Sequence, residues 1–270
     1  MVKLLTNIIG CLKFSNKMLT NCKGPIMKTI LVVCTVVLVA AISRCSKIPE
    51  ISDGGSIITN KDISGTSAKL SFVRGSAYGN IVKAGPVKLR INPQIVVWIE
   101  DSAGNMKQTI YVTHCFAKQE WRSIKNHPDS TYRMSSFPYW LGRLKNAGIA
   151  FPTQSKPIPD AITAATPKGS FSIETTIDSS ITGGTIWCEF NSSFDNNETW
   201  PAKGNESFNG QPSLLFSGDF SVKNSSGSVL LKYRGHGGDL GTDGKLYENE
   251  TGITTAKEII SKIEIEIKRP

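Results

Sequence analysis

Short runs of alternating apolar and polar residues recur from residue 69 to the end of the chain. Seven of them are rich in β-branched and aromatic residues: AKLSFVRG, VVWIED, TIYVTHC, SFSIETTI, TIWCEF, SLLFSGDFSV and SVLLKY. Glycine, asparagine and serine separate the runs, which is typical of strands joined by turns. The last run, KIEIEIKRP, alternates strictly and predicts a strand with one face in water. Many strands and few helices predict a mainly β protein, an antiparallel β-sandwich of the immunoglobulin or fibronectin-like kind.

One segment has the spacing of a helix instead. Residues 135–146, SSFPYWLGRLKN, start with serine, carry Pro138 near the first turn and place apolar residues at helical intervals. Gly148 can end this helix. Before it, EDSAGNMKQTIYV sets a glycine-asparagine turn between two strand-like runs, which predicts a hairpin.

The first 45 residues follow a different pattern. Residues 30–42, ILVVCTVVLVAAI, carry no charge but are thirteen long, whereas a membrane-spanning helix needs about 20 apolar residues. Met27 and Lys28 precede this run and Cys45 follows it, as in a secretion signal. We predict a secretion signal over residues 1–45, with translation starting at Met27 and residues 1–26 a misassigned extension. A true N-terminal anchor helix is the alternative.

The residues after this signal divide into a polar stretch and one domain. Residues 46–66 are rich in serine, glycine, aspartate and threonine, and we predict that they form a tether. Residues 67–270 are then a single β-sandwich domain, with a length typical of one domain.

The exit site AISRC resembles that of bacterial lipoproteins, which would place a lipid on Cys45. Arg44 stands where such signals have a small residue, so lipidation and export without lipid both stay open. We expect the protein in the periplasm of a bacterial envelope, or attached to its membrane through a lipid anchor.

Charge excludes one class of function. The chain has 31 basic and 22 acidic residues, and six of the basic ones lie in residues 1–45, which hold no acidic residue. The remainder is 25 basic against 22 acidic, a net +3. A nucleic-acid-binding domain needs a basic face within its folded part. We therefore predict that nucleic acid is not a partner.

Export would leave two cysteines in the folded part, Cys115 and Cys188. They could pair in an oxidising compartment, or both could be buried thiols. The sequence leaves both alternatives open.

A glycine-rich loop near the C-terminus has carboxylates at calcium-loop spacing. Asp239, Asp243 and Glu250 occupy the first, fifth and twelfth places of an EF-hand-type loop. Gly241 takes the third place, where an oxygen ligand belongs. We expect weak calcium binding at most, or a polar connecting loop.

Residues 159–169 read PDAITAATPKG. The run DAITAAT resembles the acceptor motif of flavinylated bacterial proteins, in which an aspartate, a serine or threonine and a small pair precede a final threonine. The resemblance implies that an envelope flavin transferase joins FMN through its phosphate to Thr166, with Asp160 and Thr163 as further motif residues. Ala164 stands where glycine is usual.

A longer stretch, residues 69–267, resembles a bacterial family of predicted periplasmic proteins that is known only as a domain of unknown function. The resemblance rests on PQIVVWIEDSAGNMKQTIYV, FPYWLGRL, PDAITAATPKGSF and NSSFDNNETW. It implies a sandwich-like fold and a flavin-acceptor run at this place in the domain.

These observations predict an exported envelope protein that carries FMN on Thr166 and passes electrons. Tyr139, Trp140 and His236 are candidates to pack on the flavin ring. No GxSxG, HExxH or SxxK motif occurs, so the sequence indicates no catalytic site. The alternative is a non-enzymatic binding or structural lipoprotein, in which DAITAAT is an ordinary loop between a helix and a strand.

Overall fold

The computed structural model describes residues 52–84, 86–121, 127–202, 210–223, 228–238 and 243–268. The predicted signal and Cys45 therefore lie outside the described residues. Within those ranges, no helix is both long enough and apolar enough to cross a membrane.

Two sheets form the body of the molecule. The five-stranded sheet has the order β1 (Gly55–Thr59), β8 (Phe171–Asp178), β2 (Gly65–Arg74), β13 (Ile260–Ile267) and β11 (Ser228–Leu230). The six-stranded sheet has the order β12 (Lys232–His236), β10 (Leu214–Ser221), β9 (Gly183–Asn191), β5 (Gln94–Glu100), β6 (Met106–Thr113) and β7 (Thr163–Ala164). A separate hairpin pairs β3 (Asn80–Ala84) with β4 (Val87–Ile91). The predicted mainly β sandwich is confirmed, with parallel pairing where β1 meets β8 and β7 meets β6.

The six-stranded sheet is covered on both faces, and its central strand β5 shows this directly. All seven residues of β5 are buried. Ile95, Val97 and Ile99 belong to the core that lies between the two sheets. Val96 and Trp98 belong to a second core, which the helices cover on the other face. Side chains alternate between the faces of a strand, so one continuous apolar run supplies both cores.

Two helical segments build the second core. One turn, α1 (His114–Ala117), directly follows β6, and the longer helix α2 spans Pro138–Asn146. Pro138 occupies the first turn of α2, where its missing N–H costs nothing. Gly148, at φ +68°, follows the helix end. The predicted helix over residues 135–146 is thus confirmed, although its first two residues belong to a separate 3₁₀ turn, Met134–Ser136.

Gly142 lets α2 approach a neighbouring loop closely. A β-carbon built on Gly142 would lie 2.1 Å from the backbone nitrogen of Gly244. Such a contact is far inside van der Waals distance, so only glycine fits this position of the helix.

The predicted hairpin between β5 and β6 is also confirmed. Gly104 adopts φ +79°, and Asp101 Oδ1 accepts the backbone N–H groups of Ala103 and Asn105, each at 2.9 Å. A carboxylate that holds its own turn in this way is typical of aspartate in tight connections.

Two sequence predictions were wrong in detail. The described part of the predicted tether contains β1 and the start of β2, and β1 pairs with β8 along its length. The run SVLLKY was predicted as one strand, but it supplies β11 to one sheet and β12 to the other. Leu231, between them, is buried in the inter-sheet core, so the chain crosses the sandwich there.

Candidate functional site

The DAITAAT run forms an edge of the six-stranded sheet. Asp160–Ile162 make one 3₁₀ turn, and β7 follows at once. In register, Thr163 lies beside Val112 and Ala164 beside Thr113. We call residues 158–167 the acceptor segment. It was predicted as a loop, but two of its residues belong to a sheet.

Two tyrosine hydroxyls fix the acceptor segment on either side of Thr166. Tyr111 donates to the carbonyl of Ala165 at 3.0 Å, and Tyr78 donates to the carbonyl of Pro167 at 2.9 Å. Both tyrosines are buried, and burial raises the pKa of each phenol, so both hydroxyls keep their protons. Thr166 itself is half-buried and outside any helix. Thr166 therefore lies between two anchored neighbours.

The side chains of the other two predicted motif residues, Asp160 and Thr163, both have partners. The Asp160 carboxylate pairs with Lys118 at 2.6 Å, and this cation lowers the pKa of Asp160. The Thr163 hydroxyl donates to the carbonyl of Pro159 at 2.9 Å. Asp160, Thr163 and Thr166 thus lie on one short segment. An ion pair is described for Asp160 and a hydrogen bond for the Thr163 hydroxyl, but no hydrogen bond is described for the Thr166 hydroxyl.

Positive charge lies beside the end of this segment. The Arg90 guanidinium donates to the carbonyls of Tyr78, at 3.3 Å, and Lys168, at 3.2 Å. Arg90 is on β4, so the separate hairpin is fastened next to Pro167. Lys168 and Arg90 are both exposed.

Sequence reasoning missed Tyr78, Tyr111 and Arg90 as parts of this site. They lie 55 to 88 positions before Thr166 in the chain, and tertiary structure brings them to it. The one available signal was Tyr111, which lies between the apolar residues Ile110 and Val112 of a strand run, since a buried tyrosine hydroxyl usually has a hydrogen-bond partner.

The three residues proposed to pack on a flavin ring are not available to one. Tyr139, Trp140 and His236 are 2%, 1% and 4% exposed. Tyr139 and Trp140 lie on α2 within the second core, where Trp140 packs against Phe116 and Phe137. His236 lies on β12, at the opposite edge of the sheet from β7. This part of the sequence interpretation was wrong.

The two predicted calcium ligands that the structure describes have protein partners. Asp243 accepts the backbone N–H of Lys245 and the hydroxyl of Tyr247, both at 3.0 Å. The Glu250 carboxylate pairs with Lys257. Asp239 lies outside the described residues. Within the ranges that the structure describes, no three histidine, cysteine, aspartate or glutamate side chains are grouped to hold a metal ion.

Cys115 and Cys188 lie on opposite faces of the six-stranded sheet. Cys188 is in the inter-sheet core, and Cys115 packs against the second core. The two sulfurs form no disulfide with each other. Of the two alternatives that the sequence left open, the structure shows thiols, but only Cys188 is fully buried and Cys115 is partly buried.

A second unusual group, which the sequence did not indicate, is the carboxylate of Glu189 on β9. It is fully buried at the start of α2. Oε1 accepts the Ser213 hydroxyl at 2.6 Å and the Tyr139 N–H at 3.3 Å, and Oε2 accepts the Trp140 N–H at 2.9 Å. These bonds satisfy N–H groups that a helix start leaves without partners. Burial raises the pKa of Glu189 to about 7, despite the opposing effect of its hydrogen bonds.

Glu100, on the same face of the sheet, shows the more usual arrangement for a buried carboxylate. It pairs with Arg143 of α2 at 3.2 Å and accepts the indole N–H of Trp98 at 2.9 Å. Burial raises the pKa of Glu100, and Arg143 and Trp98 oppose this rise. Glu189 differs because its partners in the described part of the chain are neutral donors.

Comparison of the chain with family models, curated proteins and solved structures gave no match. The resemblances drawn from the sequence therefore stay predictions. The geometry defines two places of interest: a partly buried acceptor segment at the sheet edge and a buried carboxylate beneath α2.

Proposed function

We propose that this protein is an exported β-sandwich protein of a bacterial envelope that carries FMN on Thr166 and passes electrons to a partner. The observation that supports this most is the placement of Thr166: the residue is half-buried, and the carbonyls on both sides of it are held by Tyr111 and Tyr78. The acceptor motif provides the hydroxyl group that would be modified, and the fold holds the backbone on both sides of it in place.

The residues present fit a phosphate-linked flavin at this position. Thr166 offers a hydroxyl, which can form a phosphodiester with the flavin phosphate as AMP leaves from FAD, the donor that the transferase binds. The neighbours Ala164 and Ala165 are small, so a second protein meets little side-chain bulk beside the hydroxyl. Arg90 and Lys168 place positive charge next to the segment, which favours a bound anion.

When bound, FMN supplies the redox chemistry, since flavins accept and donate electrons that amino-acid side chains do not carry. The chain's own residues attach and position the group. Tyr78 and Tyr111 keep the attachment point against the sandwich, and Thr166 bears the link. No catalytic role for the chain is part of this proposal.

Co-expression with an envelope flavin transferase tests the proposal. Wild type and Thr166→Ser retain a hydroxyl at this position and are expected to gain the mass of FMN on the peptide that contains it. Thr166→Ala is expected to gain none and to show no flavin fluorescence in a gel. An adduct that persists in Thr166→Ala would move the attachment site, and an unmodified wild type would overturn the proposal.

The alternative is a non-enzymatic binding or structural protein of the envelope, with Cys45 as the point of lipid attachment. One observation favours it: the acceptor segment pairs with β6 and is fastened through backbone carbonyls, as an ordinary sheet edge would be. The same co-expression experiment separates the two functions, because the alternative predicts no covalent flavin on any variant.

A further inference from the structure

Lys118 reaches the acceptor segment from the opposite side to the two tyrosines. It directly follows α1, the helical turn at the end of β6. Its side chain is mostly buried, at 17% exposure, while that of Asp160 is 89% exposed. The buried stem and charged tip of lysine suit such a position, because the stem covers apolar surface while the ammonium group reaches a partner.

The Lys118 ammonium group makes two described contacts, both with the acceptor segment. It lies 2.6 Å from Asp160 Oδ1 and donates to the carbonyl of Ile158 at 3.0 Å. The Ile158 N–H donates to the carbonyl of Ala117 at 3.0 Å. Lys118 therefore closes the start of the segment onto α1, while β7 pairs with β6 a few residues further on.

This closed arrangement limits how closely a second enzyme can approach Thr166. The Thr166 hydroxyl would have to come within about 3 to 3.5 Å of the reacting phosphorus in a second active site. Thr166 is half-buried, and the residues before it are paired along a sheet edge. Local opening of an edge needs far less free energy than global unfolding, so the segment can lift from the sheet while the sandwich stays folded.

We propose that the Lys118–Asp160 ion pair holds the acceptor segment closed against the sheet. A flavin transferase then acts on the segment only after this ion pair opens. This inference rests on the proposed attachment of FMN to Thr166. It makes Lys118 a positioning residue, and it gives Asp160 two successive partners, Lys118 in the closed state and the transferase in the open state.

The test compares Lys118→Met with a matched control. Methionine keeps an unbranched apolar stem and removes the charge. Lys107→Met is the control, because Lys107 forms an ion pair of the same kind with Asp101, at 3.0 Å, in the hairpin between β5 and β6. Two measurements are made: amide hydrogen exchange of residues 160–164 in the protein alone, and the initial rate of FMN incorporation with purified transferase and FAD.

Lys118→Met is expected to speed both exchange and incorporation by about two- to five-fold, the range that an ion pair with one exposed partner contributes to an equilibrium. Lys107→Met is expected to leave both unchanged. Added salt should speed incorporation into wild type more than into Lys118→Met, since salt screens the pair.

A slower or unchanged rate of FMN incorporation in Lys118→Met would overturn the proposal that this ion pair keeps the segment closed. Lys118 would then assist the transferase or play no part. Unchanged exchange in Lys118→Met would overturn it as well. Faster exchange with no FMN on any protein would instead overturn the proposed function. Asp160→Asn separates the two roles of the carboxylate: exchange should rise as in Lys118→Met, while incorporation should fall.

Discussion

Asp160 and Glu189 each fasten a segment of chain to the six-stranded sheet, but in opposite surroundings. Asp160 is at the surface, holds the acceptor segment and pairs with a lysine. Glu189 is fully buried, holds the start of α2 and binds two backbone N–H groups and a hydroxyl. The Asp160 carboxylate is exposed to water and pairs with the ammonium group of Lys118. The Glu189 carboxylate is buried away from water and accepts hydrogen bonds from neutral donors.

The burial of each carboxylate determines how strongly it stabilises the segment that it holds. An exposed ion pair is weak and screened by salt, so it suits a segment that must open. A buried carboxylate that satisfies a helix start is costly to remove, because its donors would be left without partners. The acceptor edge is therefore expected to be the labile region of this sheet face and the α2 region the stable one.

Removing the Glu189 carboxylate should have the largest effect on stability. Glu189→Ala leaves the Tyr139 and Trp140 N–H groups and the Ser213 hydroxyl without this partner and opens a cavity. We expect a loss of about 3 kcal/mol in the free energy of unfolding, measured by urea denaturation. Glu189→Gln keeps an acceptor and a donor in place and should lose about 1 kcal/mol or less. An alanine variant as stable as wild type would contradict the role assigned to Glu189.

The same carboxylate should make stability depend on pH. The folded pKa of Glu189, about 7, lies above the value of about 4.3 for an unfolded glutamate. Its contribution to stability is therefore fully present below about pH 4.3 and is lost as the pH rises through about 7. Between about pH 5 and about pH 8, wild type should lose roughly 2 kcal/mol more than Glu189→Gln. Parallel pH profiles of the two proteins would show that Glu189 does not titrate in this window.

Loss of one tyrosine hydroxyl at the acceptor edge should have a smaller and more local effect. Tyr111→Phe leaves the Ala165 carbonyl without its described side-chain partner, which should cost about 1 kcal/mol. Amide exchange at residues 163–166 should rise more than exchange in β9 or β10. Tyr233→Phe, which alters a hydroxyl far from this edge on β12, serves as the control and should leave exchange at the acceptor edge unchanged.

Calcium should have the smallest effect. Asp243 and Glu250 are engaged by Tyr247 and Lys257, so an ion would have to displace existing bonds. We expect millimolar calcium to shift the melting temperature by less than about 1 °C, because binding stabilises a protein only when the ligand concentration exceeds Kd. A clear rise that Asp243→Asn abolishes would establish a calcium site in this loop.

The sequence predicted local structure well and tertiary contacts poorly, for physical reasons. Alternation and turn residues identify the runs that became β2, β5, β6, β8, β9, β10 and β13, because these signals act within a few residues. The break at Leu231 could not be predicted, since it depends on which sheet each half joins. β1 pairs in parallel with β8, and β7 with β6. Each pair joins strands that are distant in sequence, so local patterns could not predict these pairings.

The candidate site divides in the same way. Asp160, Thr163 and Thr166 were identified because they lie within seven residues of each other. Glu189 appeared only as a polar position in the strand run TIWCEF, and its function depends on donors from α2 and from Ser213, the residue before β10. Gly142 lies within the predicted helix, and only its contact with Gly244 explains why glycine stands there.

Peptide mass mapping of the protein purified from the cells that naturally produce it shows whether Thr166 carries FMN. The peptide containing residues 159–168 is expected to carry the mass of one FMN group, with fragment ions that place it on Thr166 rather than Thr163. The unmodified peptide alone, from cells that hold an active flavin transferase, would contradict the attachment of FMN to Thr166 and favour a binding or structural protein.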